Sequence, residues 1–125
     1  MINKELFISA IVMLLLDMVY LSTFGKIFFS PLVRSIQGSD LKVNNYYALV
    51  CYVIMILGLN YFIISKNKSL LDAFFLGILV YGVFDTTSGA IFKNWKILPS
   101  LIDTIWGGIL FVTVTFLTKK ISKKM

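Results

Sequence analysis

Four long apolar stretches, separated by short polar segments, dominate the pattern of the chain. They cover about residues 6–24, 46–65, 70–92 and 98–118. Each is close to the roughly 20 residues that an α-helix needs to cross a hydrocarbon core of about 30 Å. The runs are continuous and lack the period-2 alternation of a membrane β-barrel. The pattern therefore predicts an all-α fold, an integral membrane bundle of four transmembrane helices that forms a single domain over residues 1–125.

Composition supports this class. Of the 125 residues, 58% are hydrophobic and only 14% are charged, whereas soluble domains carry about a quarter charged residues. The first apolar run is too long for a signal peptide, contains Asp17 and lacks a small-residue cleavage site, so we interpret it as a retained span. The single cysteine, Cys51, lies in an apolar run, where it needs no special role. The chain has no histidine, and no pattern in it indicates a metal site or a cofactor.

The net charge of +6 does not indicate nucleic-acid binding, because the basic residues are not gathered on one polar face. They lie at the ends of the apolar runs, as in proteins whose basic residues meet anionic lipid headgroups. The side that holds both termini and the second connection has seven lysines: Lys4, Lys66, Lys68, Lys119, Lys120, Lys123 and Lys124. The other side has Lys26, Arg34, Lys42, Lys93 and Lys96. The positive-inside rule then predicts a multi-pass protein with both termini in the cytoplasm.

The connections between the apolar runs differ in length. The first, residues 25–45, is the longest, and its segment 26–37 mixes large apolar side chains with Lys26 and Arg34 around Pro31. Two interpretations stay open for it: an interfacial helix or re-entrant cap, and a partly ordered loop. Residues 66–69 form a tight turn between antiparallel neighbours. Trp95 lies in the third connection, where an interfacial anchor is expected.

Three aspartates lie inside the apolar runs: Asp17, Asp85 and Asp103. A charged aspartate at the centre of a bilayer costs roughly 2.5–3.5 kcal/mol even on insertion scales. At about 1.5 Å per helical residue, Asp17 and Asp85 lie roughly 12 Å, and Asp103 roughly 8 Å, from the membrane side opposite the termini. We therefore expect one carboxylate cluster in that half of the bundle.

Polar and small residues surround these aspartates. The candidates for binding or proton relay are Asp17, Tyr20, Tyr81, Asp85, Thr86, Thr87, Ser88, Asp103 and Trp106. The candidates for close helix packing are Gly77, Gly82, Gly89, Gly107 and Gly108. A purely structural alternative stays open, in which the aspartates accept hydrogen bonds from Tyr, Trp and Thr and fix the helix register. Asn60 is expected to hydrogen-bond between helices.

These residues resemble the signature of a family of small four-span prokaryotic and viral membrane proteins catalogued as a domain of unknown function. The family element Asp-x-x-Trp-Leu is similar to Asp17-Met18-Val19-Tyr20-Leu21, with Tyr20 in place of Trp. Its third-span element is matched at Gly77, Tyr81, Asp85, Thr87, Ala90 and Trp95, while Phe84 and Ser88 depart from Tyr and Asn. Its element Asp-x-x-Trp-Gly is matched at Asp103, Trp106 and Gly107. The resemblance covers essentially the whole chain and implies a four-span fold but no activity.

Three functions are compatible with the sequence. A carboxylate cluster in a bundle can support proton- or cation-linked transport or binding of a small solute, for which we expect a homodimer or higher homo-oligomer. Alternatively, an apolar bundle can serve as a membrane-embedded enzyme or binding protein for a lipid or isoprenoid. A third hypothesis is a structural or accessory membrane subunit. Whether the protein is an enzyme stays open.

Overall fold

The computed structural model describes residues 4–124, in which no strand occurs. Its α-helices are α1 (Lys4–Tyr20), α2 (Lys26–Gln37), α3 (Asn45–Leu59), α4 (Leu70–Ile91) and α5 (Ile97–Lys124). Two π-helical turns, Leu21–Gly25 and Asn60–Ile64, continue α1 and α3. Four continuous helical segments within the described residues are long and apolar enough to cross a membrane. The predicted all-α bundle of four spans is therefore confirmed, and the protein is a multi-pass integral membrane protein.

The first helical segment is longer than the apolar run that predicts it. The chain stays helical from Lys4 to Gln37, because Gly25 has the helical φ of −60° and no residue before Pro31 opposes the helix. The segment ends at Gly38, whose φ of 76° is left-handed and whose N–H donates to the Arg34 carbonyl oxygen at 2.9 Å. Segment 26–37 is therefore helical, so the interpretation as a partly ordered loop is wrong, while its position at the membrane interface stays a prediction.

Helix α5 lies at the centre of the bundle. Its contact with α4 is the most extensive in the structure, α1 packs on another side of it, and α3 packs on α1. Met13, Leu59, Ala73, Leu110 and Val114 are fully buried between these helices. All five lie in the half of the bundle that contains the start of α1 and the end of α5, so an apolar core fills this half.

The close contact between α4 and α5 depends on glycine. A Cβ atom on Gly77 would lie 2.1 Å from the Gly107 carbonyl oxygen and 2.9 Å from the Gly108 Cα. The two backbones therefore touch at a point where no side chain fits. Small residues allow this kind of approach between membrane helices, where van der Waals packing rather than the hydrophobic effect drives association.

Polar side chains join α1 to the end of α3 near the apolar core. The Asn60 side-chain N–H₂ donates to Ser9 Oγ and to the Ile56 carbonyl oxygen, both at 2.8 Å. Ser9 in turn donates to the Leu6 carbonyl oxygen at 3.0 Å. The expectation that Asn60 hydrogen-bonds between helices is therefore confirmed.

Candidate functional site

The three aspartates of the spans are all buried in the half of the bundle away from the termini. Asp17 of α1, Asp85 of α4 and Asp103 of α5 have exposed fractions of 4%, 1% and 7%. No lysine or arginine forms an ion pair with any of them within residues 4–124. The three carboxyl groups differ in their hydrogen-bond donors and in whether they line a cavity, and these differences determine the role that each can have.

Asp17 is held on both of its carboxyl oxygens. The Trp106 indole N–H donates to Oδ1 at 2.9 Å, and the Tyr52 hydroxyl donates to Oδ2. The carboxyl group thus joins α1, α3 and α5 through neutral donors, and it lines neither of the cavities near the other two aspartates. This geometry is the one expected of a structural carboxylate that fixes helix register.

Asp103 is connected to the Asp17 group through two stacked rings. The Tyr20 hydroxyl donates to Asp103 Oδ1 at 2.9 Å. The ring of Tyr20 stacks on that of Trp106, with centroids 4.8 Å apart and planes 3° from parallel. Because Trp106 itself binds Asp17, the polar groups of α1, α3 and α5 form one continuous cluster.

Asp85 is the most buried of the three and the least well satisfied. Thr104 donates its hydroxyl to Asp85 Oδ2 at 3.1 Å, and the carboxyl groups of Asp85 and Asp103 are close enough to interact electrostatically. Asp85 Oδ1 is buried and has no donor among the described residues. A buried polar atom without a partner costs roughly 1–3 kcal/mol, so this carboxyl oxygen needs an explanation.

A cavity of about 600 Å³ lies next to Asp103, between the first helical segment and the facing ends of α4 and α5. Most of its lining is apolar, and α2 contributes one face to it. The polar groups in the lining include Asp103, Tyr20 and Ser88 at the depth of the carboxyl pair and Lys26 on α2. Its aromatic lining residues are Tyr20, Phe29, Phe84, Phe92 and Trp95. We call this space the α2 cavity.

A second cavity, of about 460 Å³, lies on the other side of the carboxyl pair. Asp85 and Thr104 line it together with Thr86, Gly89 and residues of the α4–α5 turn. Asp103 therefore lines one of the two cavities and Asp85 lines the other. Trp95 lines both cavities and contacts Phe29 of α2 at 6.1 Å between ring centroids, so it is more than the interfacial anchor that its position in the sequence suggests.

The remaining sequence candidates lie at varying distances from this pair. Ser88 is buried and lines the α2 cavity, and Thr86 lines the second cavity while donating its hydroxyl to the Gly82 carbonyl oxygen at 2.7 Å. Tyr81 lines neither cavity and packs edge-on against Phe111, with ring centroids 6.4 Å apart. Thr87 is exposed and lines neither cavity. Ser88 and Thr86 therefore line the cavities beside Asp85 and Asp103, whereas Tyr81 and Thr87 do not.

The glycine candidates fall into two groups. Gly77, Gly107 and Gly108 lie in tight contact between α4 and α5. A Cβ on Gly107 would lie 2.4 Å from the Tyr81 ring, and a Cβ on Gly108 would lie 2.7 Å from the Phe74 ring. Gly82 and Gly89 have ordinary spacing, with nearest atoms at 3.5 Å and 3.4 Å from an added Cβ. The latter two line the second cavity instead.

Two donors of the cluster, Tyr52 and Thr104, are absent from the sequence candidates. Each is a hydroxyl residue in an apolar span, where its O–H needs an acceptor, and that need is the signal that could have identified them. No group of three or more Asp, Glu, Cys or His side chains in residues 4–124 is arranged to hold a metal ion.

Comparison with known protein families identifies the family of this chain. The model of the family described as "Predicted membrane protein (DUF2177)" matches residues 2–119. No curated protein and no solved structure matches the chain. The chain therefore belongs to this membrane-protein family, and the resemblance to a membrane-protein domain of unknown function is confirmed.

Proposed function

We propose that this family member binds an apolar organic cation in the α2 cavity, and that binding is linked to a proton held between Asp85 and Asp103. The observation that carries the proposal is that Asp103 adjoins both the α2 cavity and Asp85. Asp103 lines the α2 cavity, and its carboxyl group is also the electrostatic neighbour of Asp85, whose Oδ1 is buried without a donor in the described part of the chain.

The closeness of Asp85 and Asp103 is the reason to expect a shared proton. Two carboxyl groups in contact repel strongly when both are ionised, so such pairs share a proton. We place the shared proton on Asp85 Oδ1, where it gives that buried oxygen the partner that it lacks. The neutral donors Tyr20 and Thr104 stabilise the remaining negative charge through hydrogen bonds.

The lining of the α2 cavity is the reason to expect a cationic ligand. Its volume of about 600 Å³ lies within the roughly 300–1,000 Å³ of small-molecule sites. Aromatic rings attract cations through their faces, and Asp103 supplies a negative charge at the inner end of the cavity. A bound cation favours loss of the shared proton, because it stabilises the second carboxylate.

Exchange of a cation for a proton is the elementary step of proton-linked transport. Alternating access by a chain with so few spans would require a homodimer.

The test uses tetraphenylphosphonium, an apolar cation of fixed charge. Purified full-length protein in a neutral detergent is titrated in weakly buffered solution that contains a pH-indicating dye. We expect saturable binding with release of up to about one proton per protein. Asp85→Asn and Asp103→Asn should abolish the release. Asp103→Asn should also weaken binding at least about tenfold, which is 1.4 kcal/mol, since removing one partner of a buried charge pair costs about 3–5 kcal/mol.

Asp40→Asn is the matched control, because Asp40 is an exposed aspartate whose side chain pairs with Arg34. It should bind and release protons as the unmodified protein does. Release that persists when both Asp85 and Asp103 are replaced would contradict the proposal, as would the absence of saturable binding.

A lipid ligand is the second candidate, because the α2 cavity is lined mainly by apolar residues and has Lys26 in its lining. Triphenylphosphine oxide, a neutral molecule of similar shape, separates the two functions. If it binds as tightly as tetraphenylphosphonium and no proton is released with either, the cavity is a site for neutral apolar ligands and the proton linkage is wrong.

A further inference from the structure

A third cavity lies at the opposite end of the bundle, between the end of α5 and the start of α4. Its volume is about 560 Å³, and its lining residues are Lys68, Ser69, Leu70, Phe116, Lys119, Lys120, Lys123 and Lys124. Five of these eight are lysines, and none of the described lining residues is acidic. We call this space the lysine cavity. It shares no lining residue with the two cavities beside the carboxyl pair.

The lysines of α5 lie on one helix face. Phe116, Lys119, Lys120 and Lys123 follow the i, i+3, i+4, i+7 spacing that places side chains above one another. This face points toward the start of α4, so four lysines of α5 and Lys68 of the neighbouring turn surround one space. Like charges are collected there without a compensating carboxylate in the lining, which favours an anionic ligand.

The turn before α4 is tied to α5 and gives the cavity a defined wall. Lys119 Nζ donates to Asn67 Oδ1 at 2.7 Å and to the Lys68 carbonyl oxygen at 3.2 Å. Asn67 has a left-handed φ of 51°, a conformation that asparagine tolerates in turns. Lys66, in the same turn, has its Nζ 3.8 Å from the centre of the Tyr61 ring and does not line the cavity.

The position of the lysine cavity identifies the class of ligand. It lies where two membrane-spanning helices end on the same side of the bundle, at the level of the lipid headgroups. Leu70 and Phe116 give it an apolar part beside the charges. We propose that the lysine cavity binds the phosphate headgroup of an anionic phospholipid, with the lysines around the phosphate and the two apolar residues against the first carbons of the acyl chains.

The test compares two lipids with the same acyl chains. Full-length protein in a neutral detergent is incubated with dioleoylphosphatidylglycerol or dioleoylphosphatidylcholine, and bound lipid is counted by native mass spectrometry. We expect preferential retention of phosphatidylglycerol. Its affinity should fall at least about tenfold in the triple variant K119Q/K120Q/K123Q, because each lysine near an anionic surface contributes roughly fivefold.

The control is K42Q/K93Q/K96Q, which removes the same charge from the opposite side of the bundle. It should keep the preference for phosphatidylglycerol. Equal losses in the two triple variants, or no preference between the lipids, would overturn the proposal. Competition by inorganic phosphate as effective as that by the lipid would also overturn it, since the site would then bind free anions.

Size-exclusion chromatography checks that each variant is folded. If the triple variant does not fold, Lys123→Glu in the last turn of α5 tests the same site with a single change. It should reduce binding of phosphatidylglycerol and leave the little phosphatidylcholine that binds unchanged. Unchanged phosphatidylglycerol binding in that variant would contradict the proposal.

Discussion

Tyr20 and Trp106 stack face to face at 4.8 Å between ring centroids, yet their polar atoms bind different carboxyl groups. The Tyr20 hydroxyl donates to Asp103, and the Trp106 indole donates to Asp17, each at 2.9 Å. The stacked pair therefore links α1 to α5 through ring contact and through hydrogen bonds. Asp17 has a donor on each oxygen, while Asp103 faces a cavity. Loss of a donor to Asp103 should therefore affect the site differently from loss of a donor to Asp17.

Tyr20→Phe removes the hydroxyl and keeps the ring stack. We expect a loss of stability of about 1–2 kcal/mol, because Asp103 loses a donor in a buried site. Infrared spectroscopy should show a shift of the carbonyl band of the protonated Asp85–Asp103 pair, identified by its loss in Asp85→Asn. Tyr52→Phe is the control, since it removes a donor from Asp17 only. It should cost similar stability and leave that band in place; a band shift in both variants, or in neither, would contradict the assignment.

Gly77→Ala tests the backbone contact between α4 and α5. Its Cβ would lie 2.1 Å from the Gly107 carbonyl oxygen, so the helices must separate. Overpacking of this kind costs about 1–3 kcal/mol, which should lower the midpoint of thermal unfolding in detergent. At Gly58 an added Cβ has nothing within 4 Å, so Gly58→Ala should not destabilise the protein and should gain up to about 1 kcal/mol of helix propensity. Equal destabilisation by the two changes would contradict the close approach.

The helices and the depth of the aspartates could be predicted because both depend on the sequence alone. Apolar runs of span length define membrane helices, and a rise of about 1.5 Å per residue converts position into depth. Asp17, Asp85 and Asp103 therefore fall in one half of the bundle from their positions alone. The i, i+4 spacing of side chains on one helix face likewise identifies the face of α4 that carries Gly77 and Asp85.

The partners of each aspartate could not be predicted, since they depend on how the helices are arranged around α5. Asp17 binds Tyr52, which belongs to α3, and no spacing within one helix specifies a neighbour on another. The α2 cavity was missed for a related reason. It forms because the first helix continues to Gln37 and its α2 part contacts Trp95 through Phe29. A glycine at position 25 does not reveal whether the helix ends or continues there.

The same substitution at two threonines of α5 should have different effects on stability. Thr104 donates to Asp85 Oδ2 at 3.1 Å, so Thr104→Val should cost about 1–2 kcal/mol by leaving a buried carboxyl oxygen without its donor. Thr115 is fully buried and its hydroxyl has no partner among the described residues. Thr115→Val should therefore leave stability unchanged or raise it, since valine has nearly the same shape without the polar atom. Thermal unfolding of the two variants under one condition checks the order, and a larger loss at Thr115 would contradict it.

Filling the α2 cavity should block its ligand without touching the carboxyl pair. Ser88 is buried and lines the cavity near Asp103, so the longer side chain in Ser88→Leu should occupy part of the space that tetraphenylphosphonium needs. We expect binding to weaken at least about tenfold, a change of 1.4 kcal/mol, and cation-induced proton release to fall with it. Thr87→Leu is the matched control, because Thr87 is the preceding residue, is exposed and lines neither cavity.

Titration of both variants alongside the unmodified protein decides the outcome. Thr87→Leu should bind tetraphenylphosphonium and release protons normally, because its added methyl groups face away from the α2 cavity. Ser88→Val, with a smaller side chain, should give an intermediate loss if the effect is steric. A thermal unfolding midpoint for each variant separates loss of the site from loss of the fold. Normal binding in Ser88→Leu, or an equal loss in Thr87→Leu, would show that the cation binds elsewhere than beside Asp103.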